Sequence, residues 1–308
     1  MTSKTKVLLL ASLPSALVVT AAVAQMGDAS KVELKTTPVV GSVSVIEGAN
    51  GFSGGNIGVS IGDDGVLLID DGLAGVGPKL KARVAALSPK PIRFVLNTHW
   101  HGDHTGGNVF FGGTGPLLVA QDNVRKRLST EQVMEFGGKK MTIPPLPAAA
   151  LPAITFGEDA TIHFNGDDVH ALHMPPAHTD GDVIVHFAKA NVIHAGDVFI
   201  NQGHPIVDFG HGGKFQGLID SASKIIALCD DKTRVIPGHG PVGGKADVEA
   251  WKKTLEQMRD RIAKLIKAKK TLEQIKAAKP LAEWERLDNA FIKSDMVVEM
   301  IYRSLSAK

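Results

Sequence analysis

Cysteine occurs once in the 308 residues, at Cys229, so no disulfide scaffold holds this fold. A charge excess of either sign is missing as well. The 34 Lys and Arg against 32 Asp and Glu leave +2, far from the basic balance of a nucleic-acid binder. Aromatics make up only 5% and the one tyrosine is Tyr302, so no aromatic-rich binding surface is encoded. After the first two dozen residues there is no run of about 18 apolar residues, the length a membrane-spanning helix needs. What is present is a 44% hydrophobic content, enough apolar surface to exclude a disordered chain. The length allows one large or two modest domains with a substantial core.

Residues 1–24 differ from the rest. Lys4 and Lys6 precede an apolar run from Val7 to Val19, interrupted by Ser12, Pro14 and Ser15, and Ala22-Val23-Ala24 closes it before Gln25. This is the pattern of a secretory signal peptide cleaved after Ala24, and Pro14 argues against an uninterrupted membrane anchor. The mature chain, residues 25–308, is expected to be periplasmic or secreted, with no stable membrane insertion. Losing the two leader lysines brings its net charge to zero. That zero is uneven: residues 245–308 carry 15 Lys and Arg against 10 Asp and Glu, leaving an excess of five acids in residues 25–244.

Along the mature chain, Val43 to Ile46, Ile57 to Ile61 and Val66 to Ile69 are β-prone, and Gly62-Asp63-Asp64-Gly65 supplies hairpin-turn chemistry between the last two. Leu80, Val84 and Leu87 recur at helical spacing behind Pro78, and Ile92 to Leu96 reads as a strand buried on both faces. Leu117 to Ala120 is a further strand, and Asp122 is the expected cap of a short helix through Leu128. Residues 130–153 look irregular, with four prolines from Pro144 to Pro152, and are expected to be a lid or a surface-wrapping loop. Strand patterns return near 160–164, 169–174, 183–187 and 192–195, spaced for antiparallel pairing. A helix near 216–229 and a strand Arg234 to Ile236 follow. In the C-terminal stretch, Val248, Trp251, Leu255, Met258, Ile262, Leu265 and Ile266 trace one helical face. Thr271 with Gln274 fits a capping box, and Val297, Val298, Ile301, Tyr302 and Leu305 mark a last helix.

Chemistry concentrates in His99-Trp100-His101-Gly102-Asp103-His104, three imidazoles and a carboxylate within six residues behind an apolar strand. Neutral imidazole and carboxylate suit zinc and other borderline divalent metals. Residues 99 and 101 can point one way while 103 and 104 turn to a second position, so one tight loop can serve two adjacent ions. Further candidates sit where later strands end: His178, Asp197 and His239, each beside Gly, Ala or Pro that let backbone approach an ion. Trp100 is expected to pack beneath the loop, Asp182 to cap the turn after His178, and Cys229 to be an inert buried thiol.

These motifs resemble the metallo-β-lactamase superfamily, in its order, from about residue 40 to 242: Asp70 at a strand end, the His-x-His-x-Asp-His cluster, His178, Asp197 and His239. The resemblance implies an α/β fold, a four-layer αββα sandwich within a single domain of residues 25–308, with residues 245–308 as a helical extension. It also implies two zinc ions. His99, His101 and His178 would hold the first, Asp103, His104 and His239 the second, and Asp197 would bridge them, with Asp70 orienting a ligand. Such a pair lowers the pKa of a bridging water from 15.7 to about 7, giving a hydroxide for attack on a carbonyl. Asp103 and Asp197 would then guide the proton to the leaving group.

The expected activity is therefore that of an exported dinuclear zinc hydrolase of small molecules, with β-lactam amide rings as the leading substrate. Asp197 stands where classical metallo-β-lactamases carry cysteine or serine, and Ile200 where some carry a carboxylate-binding lysine. Asp197 favours a lactone or thioester hydrolase of the glyoxalase type as the alternative. Lactonases of this fold use a tyrosine near the metals, whereas Tyr302 lies on the last helix. Because imidazole suits iron as well as zinc, an iron-bound redox member of the fold is a further alternative. His204 and His211, in the glycine-rich stretch 203–213, are candidate substrate contacts. His163, His170, His173, His186 and His194 lie in strand patterns and are read as ordinary strand residues.

Overall fold

Strand residues alternate their side chains between two faces, and this alternation distributes the chain over two packed sheets. The computed structural model describes residues 29–136, 139–289 and 291–306, so the leader expected at 1–24 lies outside the described residues. The first half contributes β1 (Leu34–Val40), β2 (Val43–Gly48), β3 (Ile57–Gly62), β4 (Gly65–Ile69), α1 (Gly77–Leu87), β5 (Ile92–Leu96), α2 (Gly102–Thr105), α3 (Asn108–Phe111), β6 (Leu117–Gln121), α4 (Asp122–Leu128), β7 (Gln132–Phe136), β8 (Lys139–Ile143) and β9 (Ile154–Phe156). The second contributes β10 (Asp159–Phe164), β11 (Asp167–His173), β12 (Val183–Phe187), β13 (Val192–His194), α5 (Phe215–Leu228), β14 (Arg234–Ile236), β15 (Gly243–Gly244), α6 (Lys245–Lys267), α7 (Leu272–Ala277) and α8 (Ser294–Ser306).

One sheet has the order β1-β2-β3-β4-β5-β6-β9, antiparallel through β4 and parallel beyond it. The other runs β10-β11-β12-β13-β14-β15, antiparallel except for the parallel β13/β14 pair. Val45, Leu67, Ile69 and Leu96 of the first sheet meet Val169, Ala171, Val185 and Ile236 of the second in the central core. The first sheet turns Val59, Val66, Leu68 and Val95 outward onto Leu80 and Val84 of α1 and Phe111 of α3. The second turns Ile184, Ile193 and Val235 onto Leu218 and Ile225 of α5, Val248, Trp251 and Leu255 of α6 and Ile301 of α8. Helix, sheet, sheet, helix is the four-layer order expected, with the C-terminal helices completing the outer layer. Each fully buried Leu or Ile contributes about 1.5–3 kcal/mol by leaving water, so three such clusters anchor everything above them. Among the described residues, no helix is long and apolar enough to cross a membrane.

Several expectations hold in detail. Gly62 pairs with Gly65 across the predicted turn, and Gly65 takes φ 126°, a conformation that side chains other than glycine's rarely adopt. Thr271 Oγ1 accepts from the Gln274 amide at 3.3 Å while the Gln274 side chain accepts from the Thr271 amide at 3.1 Å, the reciprocal capping box.

Other expectations need correction. Residues 130–153 are not irregular: they form the β7/β8 hairpin, whose Met134 and Ile143 pack with Leu146 and Leu151 on Trp100, Val124 and Leu128. The prolines follow the hairpin and hid its alternation. Gln121, not Asp122, caps α4, because its side-chain oxygen reaches the Asn123 amide at 2.5 Å. Burial on both faces holds only for the last two residues of β5, where Val95 meets the helix layer and Leu96 the central core, while Arg93 is exposed. The lead-in read as polar contains β1, an edge strand whose side chains are mostly exposed and so carry no apolar signal.

Candidate metal centre

All the expected ligand positions follow the ends of strands at one end of the sandwich. His99 and His101 lie in the loop after β5, with Asp103 and His104 on α2. His178 lies between β11 and β12, Asp197 in a 3-10 turn after β13, and His239 after β14. The folding of this end brings their donor atoms together in three groups, each with all atoms within 4.8 Å: His99, His101 and His178; His99, His104 and Asp197; and Asp103, His104 and His239. Glycines make the approach possible. A Cβ at Gly55 would stand 2.1 Å from the His104 ring, and one at Gly238 would stand 1.9 Å from Asp197 Oδ1. Asn56 holds the His239 loop, donating from Nδ2 to the carbonyls of Pro237 at 2.9 Å and Gly240 at 2.8 Å.

The hydrogen bonds fix which ring nitrogen of each histidine faces inward. Asp70 Oδ2 accepts from His104 Nδ1 at 2.7 Å and from Thr98 Oγ1 at 2.8 Å, and Oδ1 accepts from the Thr98 amide at 2.7 Å. Thr98 Oγ1, its own proton engaged, accepts from His99 Nδ1 at 3.0 Å. His178 Nδ1 donates to the Ile206 carbonyl at 3.0 Å, and His101 Nε2 donates to Asp208 Oδ2 at 2.9 Å. Four ring nitrogens are thus engaged outward, leaving His99 Nε2, His101 Nδ1, His104 Nε2 and His178 Nε2 as the nitrogens that face the centre. His101 Nδ1 and His178 Nε2 are only 2.8 Å apart, and buried His99 Nε2 has no hydrogen-bond partner. Asp197 Oδ1 stands 3.2 Å from His104 Nε2, and Asp197 Oδ2 stands 3.4 Å from His239 Nε2, which is also 3.3 Å from Asp103 Oδ2. A pocket lined by imidazole nitrogens and carboxylates fits a divalent cation.

The electrostatics divide the centre. Burial, with repulsion from His104, keeps His99 well below the usual imidazole range, and burial together with His101 lowers His178 to about 4. His101 shifts the other way: burial opposes its charge, but the Asp208 hydrogen bond and charge outweigh it. Burial likewise opposes charge on His104 and His239, yet Asp197 and Asp103 dominate, raising His104 well above its ordinary value and His239 to about 10. Asp197 and Asp103 are depressed in turn, burial being outweighed by His104 and His239.

Asp70, expected to orient a ligand, is hydrogen-bonded to His104 from a backbone held at φ 64°. Asp182 caps the His178 turn, accepting from the Thr179 amide at 2.9 Å, and Trp100 is buried beneath the loop against His101 and His211. The two histidines expected at the substrate are both buried. His211 Nδ1 donates to Asp208 Oδ2 at 2.7 Å, behind His101, and His204 Nε2 donates to Asp288 Oδ1 at 2.8 Å, on the C-terminal segment. Sequence reasoning missed Asp208, Thr98 and Asn56. Asp208 lies between His204 and His211 in the glycine-rich stretch already marked, and a carboxylate there was the available signal. It also missed Phe52, half exposed and stacked on His239 with ring centroids 5.7 Å apart.

Fold and cluster together define a candidate metal centre of the metallo-beta-lactamase type. The family model for the metallo-beta-lactamase superfamily matches residues 50–260, and the chain belongs to that superfamily. It is similar to the Beta-lactamase-like protein 2 homolog of Caenorhabditis elegans, 24% identical over 197 residues that cover 62% of this chain and 57% of that protein. It is also similar to the hydroxyacylglutathione hydrolase of Pelagibacter ubique, 26% identical over 148 residues, 48% of this chain and 52% of that one. The chain thus spans little more than half the length of these curated relatives. Among solved structures, a metallo-beta-lactamase from Pontibacter korlensis aligns with TM-score 0.59 at 17% identity, over 73% of this chain and 99% of that one. The DIM-1 metallo-beta-lactamase aligns with TM-score 0.57 at 18% identity, over 73% and 97%. At such identities the likeness is one of fold.

Proposed function

We propose that the chain is an exported, dinuclear zinc hydrolase that cleaves an acyl carbonyl bond of a small molecule. His99, His101 and His178 would hold one ion and Asp103, His104 and His239 the other, with Asp197 within reach of both groups. The observation that carries this reading is the convergence of ring nitrogens on one centre, above all His101 Nδ1 and His178 Nε2, 2.8 Å apart with the outer nitrogen of each ring bonded elsewhere. When bound, the ions supply a nucleophilic water at neutral pH and Lewis-acid polarisation of the carbonyl. The chain's own residues do the rest. Asp70 and Asp208 fix the rings of His104 and His101, while Asp103, whose side chain is 22% exposed, is the carboxylate open enough to pass a proton to the leaving group at Oδ2. Phe52 offers an apolar face beside His239 for the substrate body. Export is supported by the leader pattern of residues 1–24.

A β-lactam amide is the first substrate to test, because an exported enzyme with an open metal pair meets such rings outside the cytoplasm. A thioester is the second reading, favoured by a carboxylate at Asp197 and by relatives named hydroxyacylglutathione hydrolase. The zinc-loaded protein is assayed side by side on a chromogenic cephalosporin, a lactone and a thioester. Fast cephalosporin opening supports the first reading. An intact cephalosporin with rapid thioester cleavage replaces it with the second, and inertness toward all three sinks the acyl-hydrolase proposal.

A further inference from the structure

The second sheet carries another group of histidines, far from the metal centre and not used by it. Val169, Ala171, Val185 and Phe187 point into the central core, so His170, Asp168 and His186, at the alternate positions, lie on the opposite, outer face. The outer helices pack on Ile184 and Ile193, and Leu172 lies against the same cluster. Because β11 runs toward the His178 loop, Asp168 and His170 lie near its other end, away from the metal centre. Antiparallel register sets His170 directly opposite His186 on β12 and opposite Thr161 on β10, while His163 stands opposite Asp168. The His170 and His186 rings have centroids 6.2 Å apart. Two imidazoles facing each other across neighbouring strands can share one ion, at nitrogen-to-metal distances of about 2.0–2.1 Å, once their side chains turn toward it.

Hydrogen bonds again select the free atoms. His170 Nδ1 lies 3.0 Å from Thr161 Oγ1, leaving Nε2 toward solvent. His163 Nδ1 lies 2.6 Å from Asp168 Oδ1, which orients that carboxylate and leaves Oδ2 open. Burial and the neighbouring His170 lower the pKa of His186, and His163 lowers that of Asp168, so at neutral pH the first is neutral, as a ligand must be, and the second ionised. The His163 side chain is 80% exposed and that of Asp168 45%, so an ion reaches the patch directly from solvent.

We propose that His170 and His186 form a second, solvent-facing site for a divalent transition ion of the copper, nickel and zinc group, with Asp168, held by His163, as a negative charge on the same face. Two imidazoles leave further coordination positions to water. Copper binds such a nitrogen-rich set most tightly of the three. The site is independent of the hydrolytic centre, and its ligands take no part in the reaction proposed above.

The test uses zinc-loaded protein titrated with Cu2+, read by electron paramagnetic resonance and by metal analysis of the washed protein. The expected result is one added copper with nitrogen hyperfine structure and undiminished zinc. That signal should weaken at least tenfold in His170→Gln/His186→Gln and more modestly in Asp168→Asn, with hydrolytic rate unchanged in both. The proposal is overturned by the absence of an added copper, by equal binding in the double variant, or by zinc loss in step with copper uptake, which would place the copper in the hydrolytic centre instead.

Discussion

The two halves of the metal centre share a loop yet differ in charge. The His99, His101 and His178 group is all imidazole, and burial holds His99 and His178 neutral. The Asp103, His104 and His239 group carries a carboxylate of its own, shares Asp197, and has both its imidazoles raised. In the metal-free protein, protons on His104 and His239 therefore do the work that a cation would do. The imidazole half has one raised ring, His101, and the other half two, so the second has more protons to release before a cation binds. This difference teaches that two positions a few ångströms apart can be tuned by neighbours alone, with burial deciding one and carboxylates the other.

The largest effect that breaks this comparison is loss of the imidazole half. His178→Ala is expected to lower hydrolysis by several orders of magnitude, to the level of metal-free protein, as measured by initial rates on whichever acyl substrate proves active. Next come the orienting carboxylates, which sharpen it. Asp208→Asn should weaken zinc at the imidazole half about 10–100-fold, and Asp70→Asn should do so chiefly at the other half, both measured by chelator competition. Equal losses at both ions in each variant would show the halves are not separable. A smaller effect is expected at Phe52→Ala. Removing the ring stacked on His239 should raise KM several-fold with kcat little changed, since the contact is to the substrate body and not to the reacting atoms.

The ligands were legible in sequence because strand ends followed by small residues are short-range patterns, and His99 to His104 lie within one loop. The four layers followed from the family resemblance, and the strand and helix periods of β3, β4, β12 and α6 agree with it. Asp208 was not legible as the partner of His101, because 107 residues separate them and only the fold closes that distance. The same holds for Asn56, whose carbonyl partners lie 181 and 184 residues away. β1 and the β7/β8 hairpin escaped for a different reason: both are largely exposed, with few inward apolar residues such as Leu34, Val39, Met134 and Ile143, so their apolar alternation is weak.

The two halves should bind metal unequally because protons occupy more of one than of the other. His239 ordinarily titrates at 6.5 and is raised to about 10. Its ion pairs therefore stabilise the metal-free fold fully below 6.5 and fade as pH climbs toward 10. A cation at that half must displace this proton and the one on His104, so its affinity rises with pH across the same window, by about tenfold per pH unit for each proton displaced. The imidazole half has only His101 raised and should show a shallower slope. The direct measurement is calorimetric titration of metal-free protein with zinc at pH values from 6 to 8, in buffers of different ionisation enthalpy so that released protons are counted. Two equivalents, the weaker one steeper in pH and releasing more protons, are the predicted result. A single equivalent, or two with the same pH slope and proton count, would contradict the account.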